Sequence, residues 1–325
     1  MTLVLVGPTA TGKSSLAIEL ALRYPATGRR AEVVNADSML LYRGMDIGTA
    51  KPPIAERRGV PHHLIDVLDV TETSTVADFQ RLARNAIADC RSRGVVPIVV
   101  GGSALYVRAI VDDFEFPGTD PAVRAELEAE LERTGPQALH RRLARLDPAA
   151  AATIEPGNGR RIVRALEVGQ LTGRPFRANL PAYDYLLPEV SQIGLDIDRA
   201  ELDRRIALRV RDMWQKGFVE EVRRLVEAGL RKGKTASRGL GYRQVLDFLS
   251  GSITEAEAEE QTVSATRRFA RRQDSWFRKD PRIRWLRYDT PDLVESAYRL
   301  ASADRWGQCD SSAPLSVVDH HTMED

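Results

Sequence analysis

The 325-residue chain has only two cysteines, Cys90 and Cys309, far apart, and no second His or Cys cluster accompanies His62 and His63. That scarcity argues against a disulfide framework or a zinc ribbon and fits a reducing compartment. His62 and His63 therefore read as structural rather than as metal ligands. No stretch approaches the roughly 18–20 apolar residues of a membrane-spanning helix. The opening MTLVLVGPTA has an apolar run that stops at Val6 with no basic residue before it, too short for a secretory signal. A cytoplasmic, monomeric protein without a membrane partner is expected. Charge of one sign is also lacking: 47 Lys and Arg stand against 46 Asp and Glu. Only the local distribution of charge can therefore speak for or against nucleic acid. What remains is a chain that is 43% hydrophobic, long enough for one large domain or two modest ones with a packed core.

Three short apolar runs dominate the first hundred residues: Leu3 to Val6, Glu32 to Ala36 and Pro97 to Val100. Each gives way at once to small or polar residues, and helical patterns at Ser14 to Leu22 and Val76 to Cys90 lie between them. Strands alternating with helices predict an α/β fold built on a parallel sheet. The residues just beyond such strands share one sheet edge, where ligands bind. From Asp120 to Arg145 the chain becomes charged, alanine-rich and helical in period, and a second helical pattern runs from Gly159 to Leu171. Residues 117–185 are read as a helical insertion domain, 1–116 with 186–307 as a discontinuous core, and 308–325 as a flexible tail. A strand is expected at Val190 to Ile197 and a helix from Glu201 to about Lys216.

Gly7-Pro8-Thr9-Ala10-Thr11-Gly12-Lys13-Ser14 matches the phosphate loop G-x-x-x-x-G-K-[ST], with a strand before it and a helix after. Its backbone N–H groups and helix N-terminus attract an anion, Lys13 adds a point charge, and Ser14 can ligate Mg²⁺. The loop implies phosphate but no particular reaction. Many P-loop NTPases hold the metal with an aspartate at the end of a further strand. Here the third strand ends in Gly101-Gly102-Ser103, and the free carboxylate is Asp37. A carboxylate beside a bound diphosphate suits a base acting on a second substrate. An N-cap or a metal-organising role for Asp37 stays open on spacing alone. Arg205 and Arg209 are four apart and share a helix face, with Leu202, Ile206, Val210 and Met213 forming a neighbouring apolar stripe. A solvated face is the alternative for both arginines.

The stretch from Asn35 to Pro52, NADSMLLYRGMDIGTAKP, resembles the tRNA dimethylallyltransferase (tRNA isopentenyltransferase) family, with its D-S-x-x-x-Y-x-x-M-D-I-G-T-A-K-P pattern. Pro61 to Asp66 (PHHLID), Val76 to Phe79 (VADF), Gly101 to Tyr106 (GGSALY), Arg161 to Glu167 (RIVRALE), Gly239 to Gln244 (GLGYRQ) and Thr266 to Phe277 (TRRFARRQDSWF) follow in the family's order. The likeness covers about residues 3–290 and is closest to the bacterial form; Ser103 stands for the commoner Thr and Arg271 for the frequent Lys. The resemblance implies a P-loop core that grips dimethylallyl diphosphate with Mg²⁺. It implies transfer of the dimethylallyl group to N6 of the adenosine 3′-adjacent to the tRNA anticodon. It assigns Asp37 as the base, Arg205 as a leaving-group contact and Ser103 as a contact to diphosphate or tRNA.

It further implies tRNA contacts at Asp37, Ser38, Met39, Leu40, Ser103, Arg124, Arg160, Arg161, Arg164, Arg238, Gly241, Tyr242, Arg243, Arg271, Arg272, Gln273, Trp276 and Arg278. The charge pattern agrees near the C-terminal end. Arg267, Arg268, Arg271, Arg272, Arg278, Lys279, Arg282, Arg284 and Arg287 outnumber Asp274 and Asp280, and Trp276, Phe277 and Trp285 are interleaved. Basic and aromatic side chains together suit phosphate binding and base stacking. An amphipathic helix that buries its aromatics is the competing account. Three rival functions remain at this stage: an isopentenyltransferase acting on free adenine nucleotides, an RNA-binding protein with a vestigial P-loop, and a small-molecule kinase.

Overall fold

The computed structural model describes residues 1–114, 116–176 and 183–303. Cys309 and the expected tail from 308 lie outside them. The apolar runs become parallel strands: β1 (Thr2–Val6), β2 (Ala31–Asn35), a two-residue β3 (His62–His63), β4 (Val96–Val100), β5 (Val190–Asp196) and β6 (Ile283–Arg287). Their order across the sheet is β3-β2-β4-β1-β5-β6. The sequence reading placed four of these strands. It missed β3, which is too short for periodicity to mark, and β6, which is an edge strand within the basic segment.

Alternation in β1 explains the layering. Val4 and Val6 face one core cluster with Val34, Val99, Phe79, Ile110 and Tyr242. Leu3 and Leu5 face the other with Val33, Ile98, Leu16, Leu20 and Ala301. A parallel sheet buries both faces, so helices cover each side. α1 (Lys13–Arg23) and a C-terminal helix, Leu293–Ala303, pack on the second face. α2 (Val76–Ser92) and α3 (Ala104–Val111) pack on the first.

By its internal packing the chain forms two compact units, Met1–Asp112 with the chain from Tyr185 onward, and Asp113–Asp184. Among its described residues the second has four helices: α4 (Pro121–Thr134), α5 (Pro136–Leu146), α6 (Pro148–Thr153) and α7 (Gly159–Thr172). The single helical stretch read from Asp120 to Arg145 is broken at Gly135, whose positive φ of 77° and following proline end α4 and start α5. Leu127, Leu139, Leu143, Ile162 and Leu166 form its core. Buried Glu167 accepts from Thr119, Arg124 (2.9 Å) and Arg164 (2.7 Å).

In the first unit the chain continues through α8 (Arg199–Gln215), α9 (Phe218–Glu227), α10 (Tyr242–Leu249) and α11 (Glu255–Phe277), with Leu293–Ala303 as α12. The stripe Leu202, Ile206, Val210 and Met213 is buried as its spacing predicts. Leu202 and Ile206 meet Ala270 of α11 and Ala10 of the phosphate loop, so α8 and α11 are packed against that loop. No helix of the described residues is long and apolar enough to cross a membrane.

Candidate active site

The ends of β1, β2 and β4 are in register, with Leu5 opposite Val100 and Asn35 opposite Val100 on its other side. Gly7 to Lys13, Asp37 and Ser103 therefore emerge at one edge, as their sequence positions predict. Gly12 takes φ 97° as the N-cap of α1, and Ala10 takes φ 67°. Alternating left- and right-handed residues turn successive N–H groups into a concave anion nest. Thr11 Oγ1 donates to the Pro8 carbonyl at 2.9 Å and Lys13 Nζ to the same oxygen at 2.5 Å. The lysine thus bonds within its own loop. Burial pushes its pKa down to about 7, with Arg209 adding to the shift and Asp37 opposing it.

Asp37 is fixed by its own neighbour. The Asn35 side chain accepts from Asp37 N–H (2.8 Å) and donates to the Asp37 carbonyl (2.7 Å) and to the Leu64 carbonyl (2.9 Å). Asp37 Oδ1 caps the short turn Ser38–Leu41 by accepting from Met39 N–H at 2.9 Å. The cap expected as an alternative role is thus present, yet it takes only one oxygen. Burial raises the Asp37 pKa, against the pull of the Met39 bond and of Lys13 and Arg209. A carboxylate with one uncommitted oxygen and a raised pKa is suited to accept a proton. Because Asn35 is bonded to both sides of the Asp37 peptide, Asn35→Ala is expected to lower kcat about tenfold by loosening Asp37, with little change in diphosphate affinity. Steady-state kinetics of that variant check it.

Arg209 Nη1 donates to Thr9 Oγ1 at 3.2 Å, and Arg209 is the arginine that shares charge effects with both Lys13 and Asp37. Arg205 lies one turn earlier, paired with Glu201 at 2.8 Å and stacked on Tyr288 at 4.2 Å. Both arginines line a cleft of about 390 Å³ with Ala10, Gly12 and Leu208. Sequence reasoning favoured Arg205; the structure puts Arg209 beside the loop as well. Ser103 is the half-buried N-cap residue of α3, and its hydroxyl makes no cap bond. Ser14, in the first turn of α1, is exposed.

Relative to these groups the expected tRNA contacts divide. Ser38, Met39 and Leu40 occupy the half-buried turn after Asp37, and the Ser38 side chain is bonded to Tyr106. Arg238, Arg243, Arg271, Arg272, Trp276 and Arg278 are exposed. Trp276 has Lys279 over its ring at 5.3 Å, and Arg278 stacks on Trp285 at 3.9 Å. Arg160 and Arg161 are exposed in α7, while Arg124 and Arg164 are held by Glu167. Three of the expected contacts are buried. Tyr242 is fully buried and donates to Glu221 at 2.6 Å, and Gly241 is packed so that a Cβ would sit 3.0 Å from Phe218. Gln273 is buried too, and its Oε1 accepts from Thr9 N–H at 2.9 Å. All three face the interior because α10 and α11 turn these positions inward. The basic segment is also not one amphipathic helix: α11 ends at Phe277, which is buried, and Trp285 belongs to β6.

The absence of a histidine–cysteine grouping in sequence does not carry into three dimensions. His63 meets Glu32 at 2.7 Å, with Cys90 Sγ 3.5 Å from the same carboxylate. Arg93 holds both Glu32 oxygens, at 2.8 and 2.7 Å, and burial pushes the Cys90 thiol up to about 12. The grouping is arranged as an ion-paired brace at the β2–β3 edge.

Residues 40–280 match the family model described as IPP transferase. The chain belongs to the IPP transferase family. It is 63% identical over 298 residues to a tRNA dimethylallyltransferase of Thermobifida fusca, covering 92% of this chain and 93% of that one. It is 64% identical over 297 residues to the enzyme of the same name from Kineococcus radiotolerans, covering 91% and 93%. Its fold is similar to that of a full-length tRNA isopentenylpyrophosphate transferase from Bacillus halodurans (TM-score 0.67, 38% identity, 94% and 95% of the two chains). It is also similar to a eukaryotic dimethylallyltransferase seen acting on tRNA (TM-score 0.72, 27% identity, 94% and 77%). Membership also accounts for the MDIGTAKP segment, which in this fold is largely scaffold. Glu221 accepts from the N–H groups of Asp46, Ile47 and Gly48, and Lys51 Nζ binds the Tyr42 carbonyl, Asp46 and Asp66.

Proposed function

We propose that this protein transfers a dimethylallyl group from dimethylallyl diphosphate to N6 of the adenosine 3′-adjacent to the anticodon in tRNA, releasing diphosphate. The observation that carries this reading is the convergence of an anion nest with Lys13 and Arg209 on the same sheet edge as Asp37, a carboxylate with one free oxygen. The family and the names of its relatives supply the acceptor class.

N6 of adenine is a weak nucleophile because its lone pair is delocalised into the ring. N6 attacks C1 of the dimethylallyl group, the C1–O bond breaks, and the diphosphate leaves with the bonding pair. Lys13, Arg209, Arg205 and the loop N–H groups stabilise the charge that builds on the leaving group. Asp37 takes the N6 proton. The hard hydroxyl oxygen of Ser14, exposed in the first turn of α1, would hold Mg²⁺, which would neutralise diphosphate charge. The adenine must leave its stack to reach Asp37, so a flipped base is part of this reading. Exposed Arg271, Arg272, Trp276 and Arg278, with Arg160 and Arg161 of the helical unit, supply the phosphate and stacking contacts. The protein works as a cytoplasmic monomer in this reading.

The test offers unmodified anticodon stem-loop RNA, AMP and ATP together with labelled dimethylallyl diphosphate and Mg²⁺. Label enters the RNA. Label in AMP but not RNA would refute the acceptor, and ATP hydrolysis without prenyl transfer would refute the reaction.

A pH dependence follows. Burial lowers the Lys13 pKa to about 7, and a diphosphate anion beside it raises that pKa, so binding favours the protonated lysine. Affinity for dimethylallyl diphosphate is therefore greatest below pH 7 and falls above it, by at most about tenfold per pH unit. The Asp37 pKa is raised, so single-turnover rates fall as pH drops through a value above the usual carboxylate range. Binding and single-turnover measurements over roughly pH 5 to 9, on either side of a neutral pKa, separate the two limbs.

A further inference from the structure

Gln273 sits in the basic, aromatic stretch of α11, yet it does not share that stretch's exposed face. It is 6% exposed and belongs to the helix's buried stripe with Ala270 and Phe277. Its Oε1 accepts from the N–H of Thr9, inside the phosphate loop, at 2.9 Å. The other end of the same amide lies against the β4–α3 turn. A Cβ built on Gly102 would stand 2.3 Å from Gln273 Nε2, so only glycine leaves room for the amide there. One side chain thus spans the two loops that flank the crevice, the phosphate loop and the turn carrying Ser103.

We propose that Gln273 is a positioning residue for the diphosphate, holding the phosphate loop in its binding shape through Thr9. The inference rests on the proposed function above and goes beyond it by naming the group that sets the loop. A loop rich in left-handed residues has many competing conformations, and an N–H anchored from outside removes some of them. The anchor comes from the inner face of α11, whose outer face carries Arg271, Arg272 and Trp276. The helix therefore joins the proposed RNA surface to the diphosphate loop.

The test replaces the amide by a chain of similar length without the acceptor, Gln273→Met, so that the buried volume stays filled. Three quantities are compared with wild type in the full-length protein: the Kd for inorganic diphosphate with Mg²⁺, the Kd for anticodon stem-loop RNA, and hydrogen exchange of the peptide 7–13 in the empty protein. The expected result is a weakening of diphosphate binding, and an equal rise in KM for dimethylallyl diphosphate, of about 3- to 10-fold, the range for one neutral hydrogen bond. Exchange in the loop speeds up, RNA affinity stays within about twofold, and kcat changes less than KM. Gln273→Glu, which keeps an acceptor for Thr9 N–H, restores slow exchange but not diphosphate affinity, because its charge repels the anion. Loss of RNA affinity with unchanged diphosphate binding would overturn the proposal in favour of a tRNA contact. Equal loss of both with a lowered Tm would overturn it in favour of simple packing. Wild-type protein that binds no diphosphate would instead refute the reading of the site on which the inference stands.

Discussion

Asp37→Asn is expected to lower kcat by roughly 10²- to 10⁴-fold, the scale of a lost general base, while RNA and diphosphate affinities stay near wild type. The asparagine variant is more informative than alanine because Asp37 has two jobs. Its Oδ1 caps the Ser38–Leu41 turn through Met39 N–H. An asparagine carbonyl keeps that bond, so the turn and the Asn35 clamp on the Asp37 peptide survive. The proton-accepting oxygen is what asparagine removes. Asp37→Ala removes both and adds the loss of one hydrogen bond, about 1 kcal/mol, so it is expected to be slightly less stable and no more active. Full activity in Asp37→Asn would reduce Asp37 to a cap. The measurement is single-turnover transfer with RNA in excess, which removes product release from the rate.

Glu221→Ala carries the largest expected effect on stability. Glu221 is 2% exposed and accepts from Ile47 N–H (2.6 Å), Asp46 N–H (3.1 Å), Gly48 N–H (3.2 Å) and the Tyr242 hydroxyl (2.6 Å). Truncation leaves these donors without an acceptor in a packed region where a Cβ on Gly48 would stand 2.2 Å from Phe218. Each buried unsatisfied group costs about 1–3 kcal/mol, and water entering the vacated space recovers part of it, so a net loss of about 3–5 kcal/mol is expected. That is a large share of a stability of order 5–15 kcal/mol. Tyr242→Phe removes one of the four bonds and is expected to cost about 1 kcal/mol. Urea midpoints at constant slope check both, and a Glu221→Ala shift under about 1 kcal/mol would mean the loop finds other partners.

The contrast between these two residues shows what the chain discloses before folding. Asp37 was legible because it follows a strand end, and strand ends of a parallel sheet converge whatever the details of packing. The phosphate loop was legible for the same reason, with its glycines and lysine at fixed spacing. Glu221 was not, because a glutamate in a charged helix reads as solvated until the facing loop is known. Three of its four partners are backbone N–H groups 173 to 175 positions away, which leave no side-chain signature. Gln273 carries a sequence signal: it falls on the period of Ala258, Thr262, Ala270 and Phe277, the buried stripe of α11. A polar residue on a buried stripe needs a partner, and here the partner is the phosphate loop. Arg209 shared a face with Arg205 in sequence, and periodicity cannot rank two residues on one face. The β3 and β6 strands were missed because strands of two residues, and edge strands rich in arginine, lack the apolar runs that marked the others.

In the proposed reaction the crevice holding Lys13, Arg209 and Asp37 prenylates one adenosine of tRNA. Nucleoside analysis after digestion tests it most directly. Unmodified tRNA is incubated with the protein, dimethylallyl diphosphate and Mg²⁺, digested to nucleosides, and compared with a parallel reaction run with Asp37→Asn. The expected product is N6-dimethylallyladenosine from the position 3′ of the anticodon, with almost none from the variant. Prenylation at another base or position, or equal yield from Asp37→Asn, would contradict it.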